Sequence, residues 1–290
     1  MIWLPLTLLC AFCLATGDAL SKRALERHDE YLFLWVRLLL AMPLLMGGLF
    51  FAPLEAPAPE FYPAVLLALP LEAAAAVLYI RALKLSPLSL VLPLLALTPL
   101  FLLAVPALVL GERLSGPGAC GVLLIAAGVY VLNLDASKRG ILAPFRALMR
   151  DSGARCMLAV AFLYSITSTL GKQAIAASSP LFFAGTYFPA LLLVLTLLLF
   201  RRSTKEALIR NRGELLRASL GPAVFYGLMI LSHMVAVSLT QVAYMISVKR
   251  LSLLMGVFYG YRMFGEKQAG SRAAGALLML AGLGLISLFP

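Results

Sequence analysis

Between Pro180 and Arg201 runs LFFAGTYFPALLLVLTLLLF, twenty residues without a charge. About 20 apolar residues, rising 1.5 Å each, make a helix as long as the ~30 Å hydrocarbon core of a bilayer is thick. Inside hydrocarbon every backbone N–H and C=O must be satisfied by protein, which restricts such a segment to a helix. Ten runs of this kind occur, over 2–21, 32–52, 61–80, 87–110, 116–134, 157–176, 181–200, 218–239, 241–264 and 270–288. The expected fold class is therefore an all-α integral membrane protein with ten transmembrane helices. Only 13% of residues are charged, against about 25% in a soluble domain.

The net charge of +11 does not point to nucleic acid, because the basic residues cluster in alternate connectors. One set of connectors holds eighteen lysines and arginines: Lys22, Arg23 and Arg27; Arg81 and Lys84; five over 138–155; six over 201–217; and Lys267 with Arg272. The opposite set holds only Arg113. Positive residues stay on the cytoplasmic side, so both termini are expected outside an inner (plasma) membrane. No basic region precedes the first apolar run, which reads as a retained helix rather than a signal peptide. RRSTKEALIRNRGELLR, and ILAPFRALMR at 141–150, read as short basic surface helices.

The chain repeats itself. GERLSGPGACGVLLIAAGVYVLN from 111 and GEKQAGSRAAGALLMLAGLGLIS from 265 align without a gap at an offset of 154. Gly121 falls on Gly275, Gly128 on Gly282 and Glu112 on Glu266. At an offset of 150, GDALSKRAL meets TSTLGKQAI, which places Lys22 over Lys172 and Arg37 over Tyr187. Five helices per half is an odd number, so the second copy enters the membrane from the opposite side. Inverted repeats are a transporter signature, with the binding site between the halves near the midplane. The expected division is 1–134 for the first repeat, 135–156 for a basic cytoplasmic connector and 157–290 for the second repeat. The glycines spaced seven apart, and Gly256 with Gly260, read as close helix packing.

On these residues the sequence resembles the EamA branch of the drug/metabolite transporter superfamily. The doubled G-E-[RK]-x-x-x-G pattern, the Pro-rich SPLSLVLPLLALTP of span four and the lysines of spans one and six carry the resemblance. It covers nearly the whole chain. It implies two inverted five-helix bundles around a central cavity and transport of a small organic solute. A narrower similarity concerns SVKR at 247–250. Organophosphate translocators of the same superfamily carry a Lys-Arg pair in the ninth helix that grips phosphate, and Lys249 with Arg250 match it.

That pair sits inside QVAYMISVKRLSLLMGVFYGYRMF, where each charge costs at least ~2.5–3.5 kcal/mol on insertion scales. Lys249 is eight residues past Gln241, roughly 12 Å deep along a helix. Either the two cations face a solute cavity, or they pair with Asp18 or Glu72, or the span boundary lies elsewhere. An arginine fork suits carboxylate or phosphate, and a lysine adds a point charge. Lys172 and Arg37 bring further positive charge, and Tyr244 and Gln241 are candidate polar lining. The anions Asp18 and Glu72 leave the surplus positive, so the expected substrate is a small, anionic, phosphate- or carboxylate-bearing metabolite.

Asp18 lies four residues before Lys22 and reads as a self-neutralised pair or a proton-coupling carboxylate. Glu72 reads as a coupling carboxylate or the partner of a buried cation. His233 reads as a packing residue or a proton relay, and Glu112 as a turn residue near the surface. Arg262 reads as an interface anchor near Glu266. Cys10 and Cys13 form a C-x-x-C in an apolar run with no second pair, and read as small buried hydrophobes. No metal site or cofactor is implied. No phosphate-binding G-x-x-x-x-G-K-[ST] or hydrolase motif occurs, so an enzyme is not expected. The expected activity is secondary transport by alternating access. The alternatives are a flippase for a lipid-linked phosphate and an exporter of amino acids or drugs. Membrane lipids and the solute are the expected partners of a monomer or homodimer.

Overall fold

A computed structural model describes residues 2–53, 55–87, 91, 94–95, 97–132, 150–199, 202–264 and 272–289. Among the described residues the regular structure is helical throughout. The helices are α1 (Trp3–Leu25), α2 (Glu30–Gly47, continued by a 3₁₀ turn Gly48–Phe51), α3 (Phe61–Leu85), α4 (Leu97–Phe101), α5 (Val105–Val109) and α6 (Gly116–Leu132) in the first half. The second half has α7 (Ser152–Ala176), α8 (Pro180–Leu199), α9 (Arg202–Ser238), α10 (Val242–Lys249), α11 (Ser252–Phe264) and α12 (Arg272–Leu288). The aligned motif residues Gly265, Glu266 and Gly270, the cations Lys138, Arg139, Arg146 and Lys267, and 141–149 of the expected surface helix lie outside the described residues.

Local chemistry starts the helices where the connectors end. The Asp29 carboxylate accepts from the amides of Tyr31 and Leu32 at 3.0 Å and opens α2. Asp151 accepts from the Ala154 amide at 2.7 Å and opens α7. Each satisfies amides that the first turn leaves without partners. Among the described residues six helices are long and apolar enough to cross a membrane: α1, α2 with its 3₁₀ turn, α3, α7, α8 and the 213–238 part of α9. Shorter apolar helices cover Leu97–Val109, Gly116–Val131 and Ala274–Leu288.

Three features differ from the expectation. RRSTKEALIRNRGELLR is not a separate surface helix: from Arg202 it runs unbroken into span eight. At 37 residues, α9 is about 55 Å long, so its basic end projects beyond any hydrocarbon core. Spans four and nine, expected as continuous helices, are both divided. The chain turns at Leu102–Ala104 between α4 and α5, and at Arg250–Leu251 between α10 and α11. The divided segments occupy equivalent places in the two halves. Backbone hydrogen bonds still bridge both turns, among them Leu103 N–H to the Leu100 carbonyl at 3.3 Å and Leu251 N–H to the Val248 carbonyl at 3.0 Å, as membrane depth requires.

The packing follows a two-fold exchange. Helix α1 of the first half lies on α9 of the second, and α7 of the second lies on α3 of the first. The two glycine-rich helices α6 and α12 pack on each other. A Cβ on Gly121 would fall 2.7 Å from the Gly282 carbonyl oxygen, and one on Gly282 would fall 2.5 Å from that of Gly121. A Cβ on Gly128 would fall 2.7 Å from the Gly275 carbonyl oxygen. The repeated glycines thus meet one another, backbone to backbone, which lipid-facing helices use in place of hydrophobic drive.

Gly282→Leu is expected to destabilise the purified protein by ~1–3 kcal/mol or more, the usual cost of overpacking, read as a lower melting temperature. Gly284→Ala, where a Cβ meets nothing within 4 Å, should leave it unchanged. Equal behaviour of the two would show that α6 and α12 do not touch this way.

Candidate functional site

The break at Arg250 lets two adjacent cations leave the helix path toward one interior chamber. Lys249 ends α10 and Arg250 follows it, 9% and 4% exposed. Both line a cavity of about 120 Å³ with Arg37 of α2, Asp18 of α1, Glu72 of α3 and His233 of α9. Lys172 of α7 also lines it, as do Tyr79, Tyr164, Tyr187 and Tyr226. Drug-sized sites measure ~300–1,000 Å³, so this cavity admits only something small in the state described.

Each cation is satisfied differently. The Lys249 ammonium lies 2.8 Å from Nδ1 of His233 and 3.4 Å from the Met229 sulfur. Arg250 donates one Nη2–H to the Thr98 hydroxyl at 2.9 Å, and its buried Nε–H has no partner. Thr98 belongs to α4, so the two divided spans touch here across the halves. Arg37 lies with its guanidinium carbon 4.2 Å from the ring centre of Tyr226, a cation–π contact. Its Nη1 reaches the Ser21 hydroxyl at 3.4 Å, and its buried Nε–H also lacks a partner. None of the three has a carboxylate at salt-bridge distance among the described residues, where the ion pairs are Lys84–Glu30 and Lys172–Glu112. A buried charge without a counter-charge is among the costliest features a fold can hold.

The acids are placed apart from these cations. Asp18 does not pair with Lys22; its Oδ2 accepts from the Tyr79 hydroxyl at 2.6 Å. Lys22 instead donates to the carbonyls of Leu83 at 2.5 Å and Ser86 at 2.9 Å. Glu72 lines the chamber beside Thr167 and takes part in no salt bridge among the described residues.

Lys172 is the cation that is neutralised. Gly111, at φ 68°, adopts the left-handed conformation that suits glycine and turns the chain into Glu112. The Glu112 carboxylate receives Lys172 Nζ through Oε1 and the Val242 amide, at 3.1 Å, through Oε2. It therefore also caps the N-terminus of α10. Lys172 donates as well to the Thr240 carbonyl at 2.7 Å. Glu112 is thus more than the surface turn residue expected, because it bridges the halves.

Two expected lining residues are elsewhere. Tyr244 is 1% exposed and lies outside the chamber, with its hydroxyl 3.2 Å from both the amide and the hydroxyl of Ser115. The absent side chain at Gly118 makes room for it: a Cβ there would stand 1.9 Å from the hydroxyl. Gln241 donates to the Arg113 carbonyl at 3.0 Å and holds the same turn. Tyr259 meets Thr16 at 3.0 Å and does not line the chamber. His233, readable from the sequence as either a packing residue or a proton relay, contacts Lys249 in the structure. Its signal was spacing across two spans, which one chain read alone does not reveal. Among the described residues no group of three His, Cys, Asp or Glu could hold a metal ion.

The comparisons agree with this architecture. The family model described as EamA-like transporter family matches residues 1–134 and again 151–288. This chain belongs to the EamA-like transporter family. The EamA match falls twice on one chain, as the duplication read from the sequence does. A solved structure titled only "Crystal structure of protein" shares 18% identity over 99% of each chain, with a TM-score of 0.66. That likeness speaks to fold alone. A search of curated proteins found no match. Membership makes the chain a multi-pass membrane protein of a small-molecule transporter family, and the chamber between its halves is the candidate solute site.

The Lys172–Glu112 contact should register in a double-mutant cycle. Lys172→Met and Glu112→Gln, singly and together, are expected to show a coupling of ~0.5–3 kcal/mol in unfolding stability. The pair is shielded enough for that, at 21% and 11% side-chain exposure. Strictly additive losses would mean that the contact contributes nothing.

Proposed function

We propose that this protein is a secondary transporter that carries a small anionic organic solute across the cell membrane by alternating access. Its ten crossings form two inverted repeats, 1–134 and 157–290, joined by a basic cytoplasmic connector over 135–156. Both termini face outward, following the cation-rich connectors inside. The observation that carries the reading is the chamber's charge arrangement. Arg37, Lys249 and Arg250 line it without a carboxylate at salt-bridge distance among the described residues, and two of their Nε–H groups have no partner. A carboxylate or phosphate would supply the missing acceptors, bidentate to a guanidinium.

The loading is reversible because the protein does not neutralise these cations itself. A site already closed by its own acids would gain little from an anion. A site with open donors gains much, and only while the anion is present. Asp18, tied to Tyr79, and Glu72 remain in the chamber as carboxylates that can change protonation as the solute enters or leaves.

Substitution separates this reading from a structural one. Replacing Lys249 and Arg250 together by methionine should hold or raise the stability of the empty protein, because two buried charges are removed and the groups left behind, His233 Nδ1 and the Thr98 hydroxyl, are neutral. The same change should abolish stabilisation by small phosphates, phosphonates and carboxylates. In the native protein an anion at a hundred times its Kd adds about 2.7 kcal/mol. A screen of melting temperatures reads both effects. A response to prenyl phosphates alone would favour a lipid-linked cargo. A response to cationic drugs, or anion stabilisation that survives the double substitution, would overturn the proposal.

A further inference from the structure

The contact between Lys249 and His233 has a property that the other cations of the chamber lack. Nζ and Nδ1 are 2.8 Å apart, a hydrogen-bond distance between two nitrogen bases. An ammonium has donors only, and an imidazole nitrogen accepts only through a lone pair. Whichever of the two donates, the other must present an unprotonated nitrogen. The pair therefore holds one proton fewer than its two bases could carry.

We infer that Lys249 and His233 form a one-proton coupling site, so that an anion entering the chamber brings a proton with it. This rests on the anionic-solute reading. In the empty chamber Lys249 spends a donor on His233 Nδ1. An anion is a stronger acceptor, and the ammonium turns to it. His233 Nδ1 is then uncovered, takes up a proton delivered from the bulk solution, and donates it toward the same anion. When the anion leaves, the imidazolium returns that proton to water and Nδ1 again accepts from Lys249. One proton is bound and released per anion, no covalent bond changes, and solute and proton cross together.

The surroundings favour this pair as the place where the proton enters. The titratable or charged groups facing it are Cys10 and Asp18 on α1, Arg37 on α2, Glu72 and Tyr79 on α3, Tyr164 and Lys172 on α7, Tyr187 on α8, Tyr226 on α9 and the adjoining Arg250. Asp18 is engaged by Tyr79 and Lys172 by Glu112. Arg37 meets the Tyr226 ring and Arg250 the Thr98 hydroxyl. The Cys10 thiol donates to the Met229 carbonyl at 3.5 Å, beside the Met229 sulfur that also contacts Lys249. Asp18 and Glu72 are the competing proton acceptors, and the test includes them.

Sulfate is the probe, since it carries no titratable proton across the neutral range. Its apparent affinity for the full-length purified protein is measured from thermal stabilisation at stepped pH. One linked proton predicts an affinity that rises by up to about tenfold for each unit the pH falls. His233→Asn puts an amide near the Nδ1 position that can still accept from Lys249 but cannot take a proton. It should bind sulfate at every pH only as weakly as the wild-type protein does at the alkaline end of the range, with no pH slope, and His233→Gln serves if that variant does not fold. Adding sulfate to the wild-type protein in weakly buffered solution should also draw up about one proton per bound anion. Sulfate binding with no pH dependence and no proton uptake overturns the coupling site and leaves the anion site standing. A slope that survives in both His233 variants, or disappears only in Asp18→Asn or Glu72→Gln, assigns the proton elsewhere and overturns it too. Failure of sulfate, phosphate and carboxylates alike to stabilise the protein at any pH overturns the anionic reading, and this inference falls with it.

Discussion

A cation removed from water must find electrons somewhere, and the membrane-embedded part of this chain can be understood as a set of answers to that demand. Lys172 finds a carboxylate in Glu112. Lys22 finds the carbonyls of Leu83 and Ser86. Arg37 finds the face of Tyr226, Arg250 a hydroxyl on Thr98, and Lys249 a ring nitrogen on His233. The first acceptor is an anion, and the second is a pair of backbone carbonyls. The last three answers use neutral groups, each weaker than an anion would be. Arg37, Arg250 and Lys249 share one chamber, which Lys172 also lines with its charge already neutralised by Glu112.

The duplication explains why the lysines at the helix ends behave alike. Lys22 and Lys172 correspond at an offset of 150, and Ser86 corresponds to Thr240 at 154. Lys22 donates to the Ser86 carbonyl and Lys172 to the Thr240 carbonyl. One lysine thus anchors the connector between the third and fourth spans, and the other does the same between the eighth and ninth. Arg37, by contrast, falls on Tyr187. The chamber charge is therefore not a product of symmetry. It lies where the two copies have diverged, as expected if the scaffold is duplicated and the solute site is not.

What could be read from the chain follows from what lipid makes costly. Charges inside apolar runs stand out, so Asp18, Arg37, Glu72, Lys172, Lys249 and Arg250 could be gathered before any fold was known, and all six line the cavity. Repeated glycines stand out for the same reason, and Gly121 does meet Gly282. Tyr244 and Gln241 could not be placed, because an uncharged polar group is satisfied by any nearby partner. Theirs, Ser115 and Arg113, come from the other half of the chain. The breaks in spans four and nine were hidden too. An apolar run has the same hydropathy whether its helix continues or turns, and only the tertiary contacts of Thr98 and Arg250 distinguish the two cases.

Helix α10 connects these observations physically. It has eight residues, about 12 Å from end to end. Glu112 sits at its N-terminus, where the helix dipole favours an anion, and Lys249 at its C-terminus, where the dipole favours a cation. The carboxylate that caps one end belongs to the first half of the chain, and the ammonium at the other end contacts α9 of the second. All eight residues of this helix are buried, so its two ends are linked through one packed element. Any solute that draws Lys249 away from His233 therefore pulls on the same rod whose far end is held by the Glu112–Lys172 clasp.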